Sequence, residues 1–516
     1  MKEQKPNIIL ILADDLGYSD LGCFGSEIDT PNIDRLASGG LRFTQFYNSA
    51  RCCPSRASLL TGLYPHQAGV GEMTEELETP GYRGFLTEQC VTLAEVLKEE
   101  GYHTYLSGKW HVGKQGPIKK GFDDFYGLLG GFTSFWDKKD YVRLPEGRPE
   151  RTYKDGEFYA TDAITDHALD FIEESRRDDH PYFLYLSYNA PHFPLQAPEE
   201  EIVKYEGVYE KGWDKIREER LHRMKELEII AQDTPLTPRA EYWNRDRDIQ
   251  GVNPAWDSLD LDRKKDLAKR MAIYAAMVDR MDQNIGRVIS DLEEKQELDN
   301  TLILFCSDNG ACAEWDPWGF DNWITTSNIL HRKEDLKKMG GPDSYHSYGS
   351  GWANACSTPL RLYKHYGHEG GISTPLIAHW PEVIERKGEI DHRPGHFIDF
   401  MTTFVDITGA DYPEEYKGRE ILPMEGESLV PALLDESPQE RTLCFEHEQH
   451  CGVRHGKWKL SKIKERDWEL YNLDNDRSEM VNLADLYPEI VEELKLAWKE
   501  WAQRTDVIPR PKRKVK

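Results

Sequence analysis

At 516 residues the chain exceeds what one hydrophobic core usually organises, so one large domain followed by a smaller one is expected. A formal net charge of -27 argues against nucleic acid or an anionic membrane as partner, because the long-range field repels polyanions; an anionic substrate would need a local basic cluster. The nine cysteines are scattered singly apart from Cys52 and Cys53, with no C-x-x-C pair and no disulfide framework, so reduced thiols are expected.

The N-terminal "MKEQKPNIILILADDLG" has a charged start and an apolar run from Ile8 to Ala13, too short for a signal-peptide core. It reads as a buried strand ending on two aspartates. "TPNIDRLASGG" follows as a short helix stopped at Gly39. "CVTLAEVLKEEGYHTYLSGKWH" runs helix, Gly101, strand, and "ALDFIEESRRDDHPYFLYLSYNAPH" repeats that order. Residues 195–270 differ: they are charged, helical in "DKIREERLHRMKELEIIAQ" and loop-like through "DTPLTPRAEYWNRDRD", and are expected to form an insertion capping the sheet. In "MVDRMDQNIGRVISDLEEKQELDNTLILFCSDNG" the residues Met277, Met281, Ile285 and Val288 share one helical face before another apolar strand. Such helix-to-strand units with unalternating apolar strands predict an α/β domain over residues 1–390 with a large, mostly parallel sheet flanked by helices.

Beyond it, "RTLCFEHEQ", "CGVRHGKWKLSKIK" and "WELYNL" read as short antiparallel strands. Ile490, Leu494, Trp498 and Trp501 stand at helical spacing, so residues 391–516 are expected to form a smaller α+β domain, an antiparallel sheet plus one amphipathic helix. The basic tail "IPRPKRKVK" reads as a solvated terminus. Nowhere do ~20 apolar residues run together, so no membrane span is predicted.

In an open parallel sheet the chemistry collects at the carboxyl ends of the strands. The polar residues there are Asp14 and Asp15, Lys109 and His111, His192, and Asp308 and Asn309. Four oxygen donors without cysteine or paired histidines suit a hard divalent cation, calcium or magnesium, rather than zinc. Lys109, His111, His192 and Arg56 would supply positive charge and proton transfer near neutral pH. Taken singly, each also has an ordinary structural explanation.

The stretch "CCPSRASLLTG" distinguishes these readings. Cys52, Cys53, Pro54, Ser55 and Arg56, followed by Leu60-Thr61-Gly62, resemble the signature of the sulfatase family, whose first motif cysteine is oxidised to formylglycine. "PNIILILADDLGYSDLGCFG", "SGKWHVG", "APHFPLQAP", "YKHYGHEGGISTPLIAHWP" and "WELYNLDNDRSEMVNLA" resemble further family blocks in the family's order. The resemblance spans about the whole chain and is closest to the bacterial arylsulfatase branch. It implies an alkaline-phosphatase-like fold, with Cys52 as the catalytic position and Cys53 as the variable one. It further implies calcium held by Asp14, Asp15, Asp308, Asn309 and the modified position 52, and sulfate held by Arg56, Lys109 and Lys364. His192 would protonate the leaving alcohol, and His111 would deprotonate the second hydroxyl of the hydrated aldehyde.

A formylglycine-generating or anaerobic sulfatase-maturing enzyme is the implied partner. The expected substrate is a small or terminal sulfate ester, either an aryl sulfate or a sulfated sugar such as sulfated galactose, cleaved in exo fashion. Glu446, His447, Glu448 and His455 are candidates for reading sugar hydroxyls, or else tie the small sheet to the large domain. Two other functions fit the same scaffold: a phosphomonoesterase or phosphonate hydrolase, and a non-catalytic sulfated-ligand-binding protein if Cys52 stays unmodified. Free cysteines without a signal peptide favour the cytoplasm, whereas a trimmed signal peptide would mean a periplasmic or exported protein.

Overall fold

The structure is a computed structural model that describes residues 5–511 except 155, 179, 245–248, 323–326 and 437–439. The charged start at residues 1–4, the loop-like stretch over 245–248 and the end of the basic tail at 512–516 therefore lie outside the described residues.

The strands in chain order begin with β1 (Asn7–Ala13), β2 (Leu41–Tyr47), β3 (His103–Gly108), β4 (Asp124–Leu128), β5 (Tyr141–Leu144) and β6 (Tyr182–Ser187). A hairpin of β7 (Glu241–Asn244) and β8 (Ile249–Val252) follows, then β9 (Thr301–Ser307), β10 (Ser373–His379), β11 (Ile390–Asp391) and β12 (Gly395–His396). All but the hairpin form one ten-stranded sheet of order β11-β2-β10-β9-β1-β6-β3-β4-β5, with β12 beside β2. Its centre, β9-β1-β6-β3, is parallel. Ile9, Ile11 and Ala13 of β1 enter one core, while Ile8, Leu10 and Leu12 enter the other. Both faces are buried, which is why the strand is apolar at every position.

Helices Pro31–Ser38, Ala160–Ser175 and Leu261–Glu294 cover the first face. Cys52–Thr61, Leu93–Glu99 and Asp399–Thr408 cover the second. Met277, Met281, Ile285 and Val288 are all buried, as their spacing predicts. Thr92 opens Leu93–Glu99 with a reciprocal capping box to Glu95, which satisfies two otherwise orphaned backbone donors.

Register decides where polar residues gather. Ala13 pairs with Ser307, and Ser187 pairs with both Leu12 and Gly108, so the residues following β1, β3, β6 and β9 emerge along one edge. β10 runs antiparallel to β9 and to β2. The carboxyl end of β2, leading to Cys52, and the amino end of β10, preceded by Lys364, therefore reach that same edge.

The insertion is shorter than expected, because the helix Leu261–Glu294 begins inside the 195–270 stretch. Its loop-like part also contains β7, which pairs with β8 from Glu241 opposite Val252 to Asn244 opposite Ile249. The expected division after residue 390 falls within β11. That strand and β12 pair with β2, and Phe400 and Phe404 pack in the core under Cys52–Thr61.

After the small pair β13 (Glu415–Tyr416) and β14 (Arg419–Glu420), a separate antiparallel sheet begins at Thr442. It contains β15 (Thr442–His447), β16 (His450–His455), β17 (Trp458–Lys462) and β18 (Trp468–Asn472) in sequential order. Helix Pro488–Arg504 lies across it, with Ile490, Leu494, Trp498 and Trp501 packed with Val453, Leu460 and Leu470. No helix among the described residues is long and apolar enough to cross a membrane.

Candidate active site

The edge shared by the parallel strands carries a fully buried cluster of charges. Cys52 opens its helix and Arg56 stands one turn later, which aims both side chains along one helix face. Arg56 Nε donates to Asp308 Oδ2 at 2.9 Å, and its Nη1 donates to the Lys109 carbonyl at 3.0 Å and to Ser187 Oγ at 2.5 Å. Lys109 Nζ donates to Asp14 Oδ2 at 2.5 Å. Lys364 Nζ donates to both oxygens of Asp15, at 2.7 and 2.9 Å, and Asn309 Nδ2 donates to Asp15 Oδ1 at 2.7 Å. Asp15 adopts the left-handed backbone region at φ 68°, which lets its N–H reach Asp308 Oδ1 at 3.3 Å.

Two histidines border the cluster. His192 Nδ1 lies 2.7 Å from the Phe193 carbonyl. A carbonyl only accepts, so that nitrogen carries the proton and Nε2, 3.4 Å from Asp15 Oδ2, is the atom turned inward. The ring stacks on Phe132 at 5.8 Å between centroids. His111, also left-handed at φ 48°, places its ring nitrogens 3.3 and 3.5 Å from Cys53 Sγ.

Burial and these partners set the protonation states. Burial alone would raise the Asp15 carboxyl, but Lys364 and then His192 bring it down to about 2. Burial followed by the neighbouring Asp14 carboxylate pushes Asp308 well above the usual carboxylate range, against the pull of Arg56. The hydrogen bond with Cys53, reinforced by His111 and Lys109, draws the Cys52 thiol well below its ordinary value. Burial lowers both His111 and His192.

Within this cluster Asp14 Oδ1 and Asn309 Oδ1 are buried without a hydrogen-bond partner. Leaving such atoms unpaired costs about 1–3 kcal/mol each. Asp14, Asp15 and His192 can also bring ligand atoms within 4.8 Å of one another. Unpaired oxygens beside packed carboxylates are the donor set a hard divalent cation takes, so the residues fit such an ion.

The structure thus brings together Asp14, Asp15, Cys52, Arg56, Lys109, His111, His192, Asp308, Asn309 and Lys364. It divides the four candidates from the small sheet. Glu448, in the β15–β16 turn, accepts at 3.2 Å from His365 Nδ1, and His447 packs against the His365 ring at 5.7 Å. Glu446 turns away, 2.9 Å from His66 Nε2 and paired with Arg510. His455, at the far end of β16, meets Thr442 Oγ1 at 3.0 Å. Neither Glu446 nor His455 meets these residues: Glu446 lies within β15 on the face opposite His447, Glu448 lies beyond the strand in the turn, and His455 pairs with Thr442 at the other end of the two strands.

Three further residues were missed by the sequence reading. Arg51 Nη1 lies 2.6 Å from both Glu314 Oε1 and His365 Nε2, which links the loop before Cys52 to the segment around Lys364. Arg51 and His365 each adjoin a named position in sequence, and that adjacency was the available signal. Glu314 carried none. Together with Trp243, Trp315, Lys364 and Glu448, Glu314 and His365 line an open cleft.

The family profile described as Sulfatase matches residues 6–410, and that of the C-terminal region of N-sulphoglucosamine sulphohydrolase matches residues 361–504. An arylsulfatase of Klebsiella aerogenes is 35% identical over 83% of this chain and 92% of its own length. An uncharacterised sulfatase of Schizosaccharomyces pombe is 33% identical over 99% of this chain and 96% of its own. Among solved structures, Ps i-CgsB in complex with a neocarrahexaose superposes with a TM-score of 0.69 at 26% identity, covering 98% of both chains.

Proposed function

The chain belongs to the sulfatase family and is a sulfuric ester hydrolase, and from that premise we propose that it works through position 52, converted from cysteine to formylglycine. The proposed substrates are the terminal sulfate of a sulfated sugar, such as sulfated galactose, and aryl sulfates. The observation that carries this reading is the convergence of Arg56, Lys109 and Lys364 on Asp308, Asp14 and Asp15, in a buried cluster at the sheet edge reached by Cys52 that leaves Asp14 Oδ1 and Asn309 Oδ1 unpaired.

Asp14, Asp15, Asp308, Asn309 and position 52 would hold one divalent cation, calcium in our reading, which when bound supplies Lewis-acid neutralisation of sulfate oxygens. Formylglycine at position 52 would supply a hydrated aldehyde, one hydroxyl for attack on sulfur and a second whose deprotonation lets sulfate leave. Arg56, Lys109 and Lys364 hold the sulfate and meet the charge that grows on its oxygens, inside a site too dry for water to screen them. Asp308, ionised beside Arg56 and the cation, accepts the proton of the attacking hydroxyl. His192, oriented by its Nδ1 bond to the Phe193 carbonyl, acts as the imidazolium that the facing Asp15 carboxylate favours and hands the proton on Nε2 to the departing alcohol oxygen. His111, placed beside both thiols, takes the second proton.

The modification requires a maturing enzyme as partner, of the formylglycine-generating or the anaerobic type. The first test is peptide mass spectrometry across residues 48–62 of active protein. A loss of ~18 dalton at Cys52, with Cys53 unchanged, is expected when a thiol becomes an aldehyde. Two intact thiols in active protein would remove formylglycine from the mechanism.

A further inference from the structure

The cleft beside Lys364 continues into a second space. Trp243, Tyr366 and His450 line both it and a groove of about 730 Å³, whose other residues include Gln250, Lys464 and Arg466. One wall is the β7–β8 hairpin of the insertion. The other is the turn between β17 and β18 of the small sheet.

Both walls are fastened. Tyr363 Oη donates to the Glu241 carbonyl at 2.6 Å, which ties the hairpin to the residue before Lys364. Arg466 Nη2 donates to Glu241 Oε2 at 2.6 Å, which ties the hairpin to the small sheet. Trp243 stands opposite Gln250 in the hairpin register, and the Lys464 ammonium lies 5.5 Å from the Trp243 ring centroid. Tyr366 and His450 pack their rings at 4.6 Å.

Aromatic faces next to an amide, an ammonium and a guanidinium match a molecule with apolar C–H faces and a rim of hydroxyls. A steroid or lipid would cover these polar groups without pairing them, which is unfavourable. The groove is no polyanion track either, since the acids Glu241 and Glu465 line it alongside Arg466 and Lys464. Sugar units suit it.

Resting on the sulfatase reading, we propose that this groove binds the sugar units next to the one that loses its sulfate. The substrate class is then an oligosaccharide, with its sulfated terminal unit in the cleft and its neighbours laid along Trp243 and Tyr366 toward Lys464.

The test measures sulfate release from protein whose formylglycine has been verified by mass. Its substrates are p-nitrophenyl sulfate and fragments of one, two and four units from sulfated galactans and glycosaminoglycans. For the terminal unit cleaved, kcat/KM is expected to rise about tenfold or more from one unit to four, equivalent to about 1.4 kcal/mol. Lys464→Ala and Trp243→Ala should each cut that rise to about threefold or less. Lys464→Ala should also leave p-nitrophenyl sulfate turnover within about twofold, which shows that the variant is folded. A rate independent of chain length, or a rise that survives both substitutions, overturns the proposal. Cleavage of p-nitrophenyl sulfate with no sugar sulfate cleaved overturns it too, and leaves the sulfatase reading standing. Failure of verified protein to release sulfate from any of them would instead sink the formylglycine mechanism on which the proposal rests.

Discussion

Two buried clusters of opposite charges differ in one respect. At the start of β10, Glu369 Oε1 accepts from Lys459 Nζ at 2.7 Å, and Oε2 accepts from Tyr47 and Ser373 hydroxyls at 3.1 Å each and from Arg477 Nε at 3.2 Å. Lys459 also meets Glu479 at 3.0 Å, so this group joins the small sheet to the large one with both Glu369 oxygens occupied. The cluster around Cys52 is equally dry, yet Asp14 Oδ1 and Asn309 Oδ1 have no partner. Desolvated charge that is closed on itself is a joint, whereas desolvated charge left open marks where a ligand enters.

The largest effect that tests this contrast is in the open cluster. Cys52→Ala should lower turnover by more than about 10⁴-fold while leaving the urea midpoint unchanged, and retained turnover would contradict the assignment of the nucleophile. In the closed cluster Glu369→Ala leaves Lys459 with Glu479 alone and removes the carboxylate that faces Arg477. It should cost about 3–5 kcal/mol in urea unfolding; a loss below 1 kcal/mol would mean that the joint lies elsewhere.

Removing a proton donor should act selectively. His192→Asn is expected to slow alkyl sulfates by about 10²–10⁴-fold and p-nitrophenyl sulfate far less, because nitrophenolate leaves without protonation. Equal losses on both would exclude His192 as the acid. Asp14→Asn removes one oxygen charge from the open cluster, so the calcium-induced rise in Tm of wild-type protein should shrink or vanish. An unchanged rise would place the cation elsewhere.

The smallest effect is one of acid. Burial opposes ionisation of Glu369, but Lys459 and Arg477 hold its carboxyl at about 2, against an ordinary value of 4.5. A depressed carboxylate stabilises the fold fully above its unfolded value, and that contribution is lost as pH falls from 4.5 toward 2. Wild-type protein should therefore lose on the order of 3 kcal/mol from this one group over that window. Glu369→Gln should flatten that part of the profile, and an unaltered profile would assign the acid response to other carboxylates.

What the sequence determined by itself is what depends on neighbours along the chain. Apolar runs without alternation announced strands buried on both faces, and Met277, Met281, Ile285 and Val288 announced a helix face, because side-chain period is a local property. The C-x-P-S-R stretch and the polar residues after each apolar run announced nine of the ten residues that meet at the sheet edge, and the resemblance of "YKHYGHEGG" to a family block added Lys364. The tertiary structure alone decided that Glu448 joins them while Glu446, two residues earlier, turns to His66. It also brought Arg51, Glu314 and His365 into contact, ran β11 and β12 on into the large sheet, and left two oxygens unpaired. Which buried polar atoms find partners depends on how segments hundreds of residues apart pack against one another, and no local pattern encodes that.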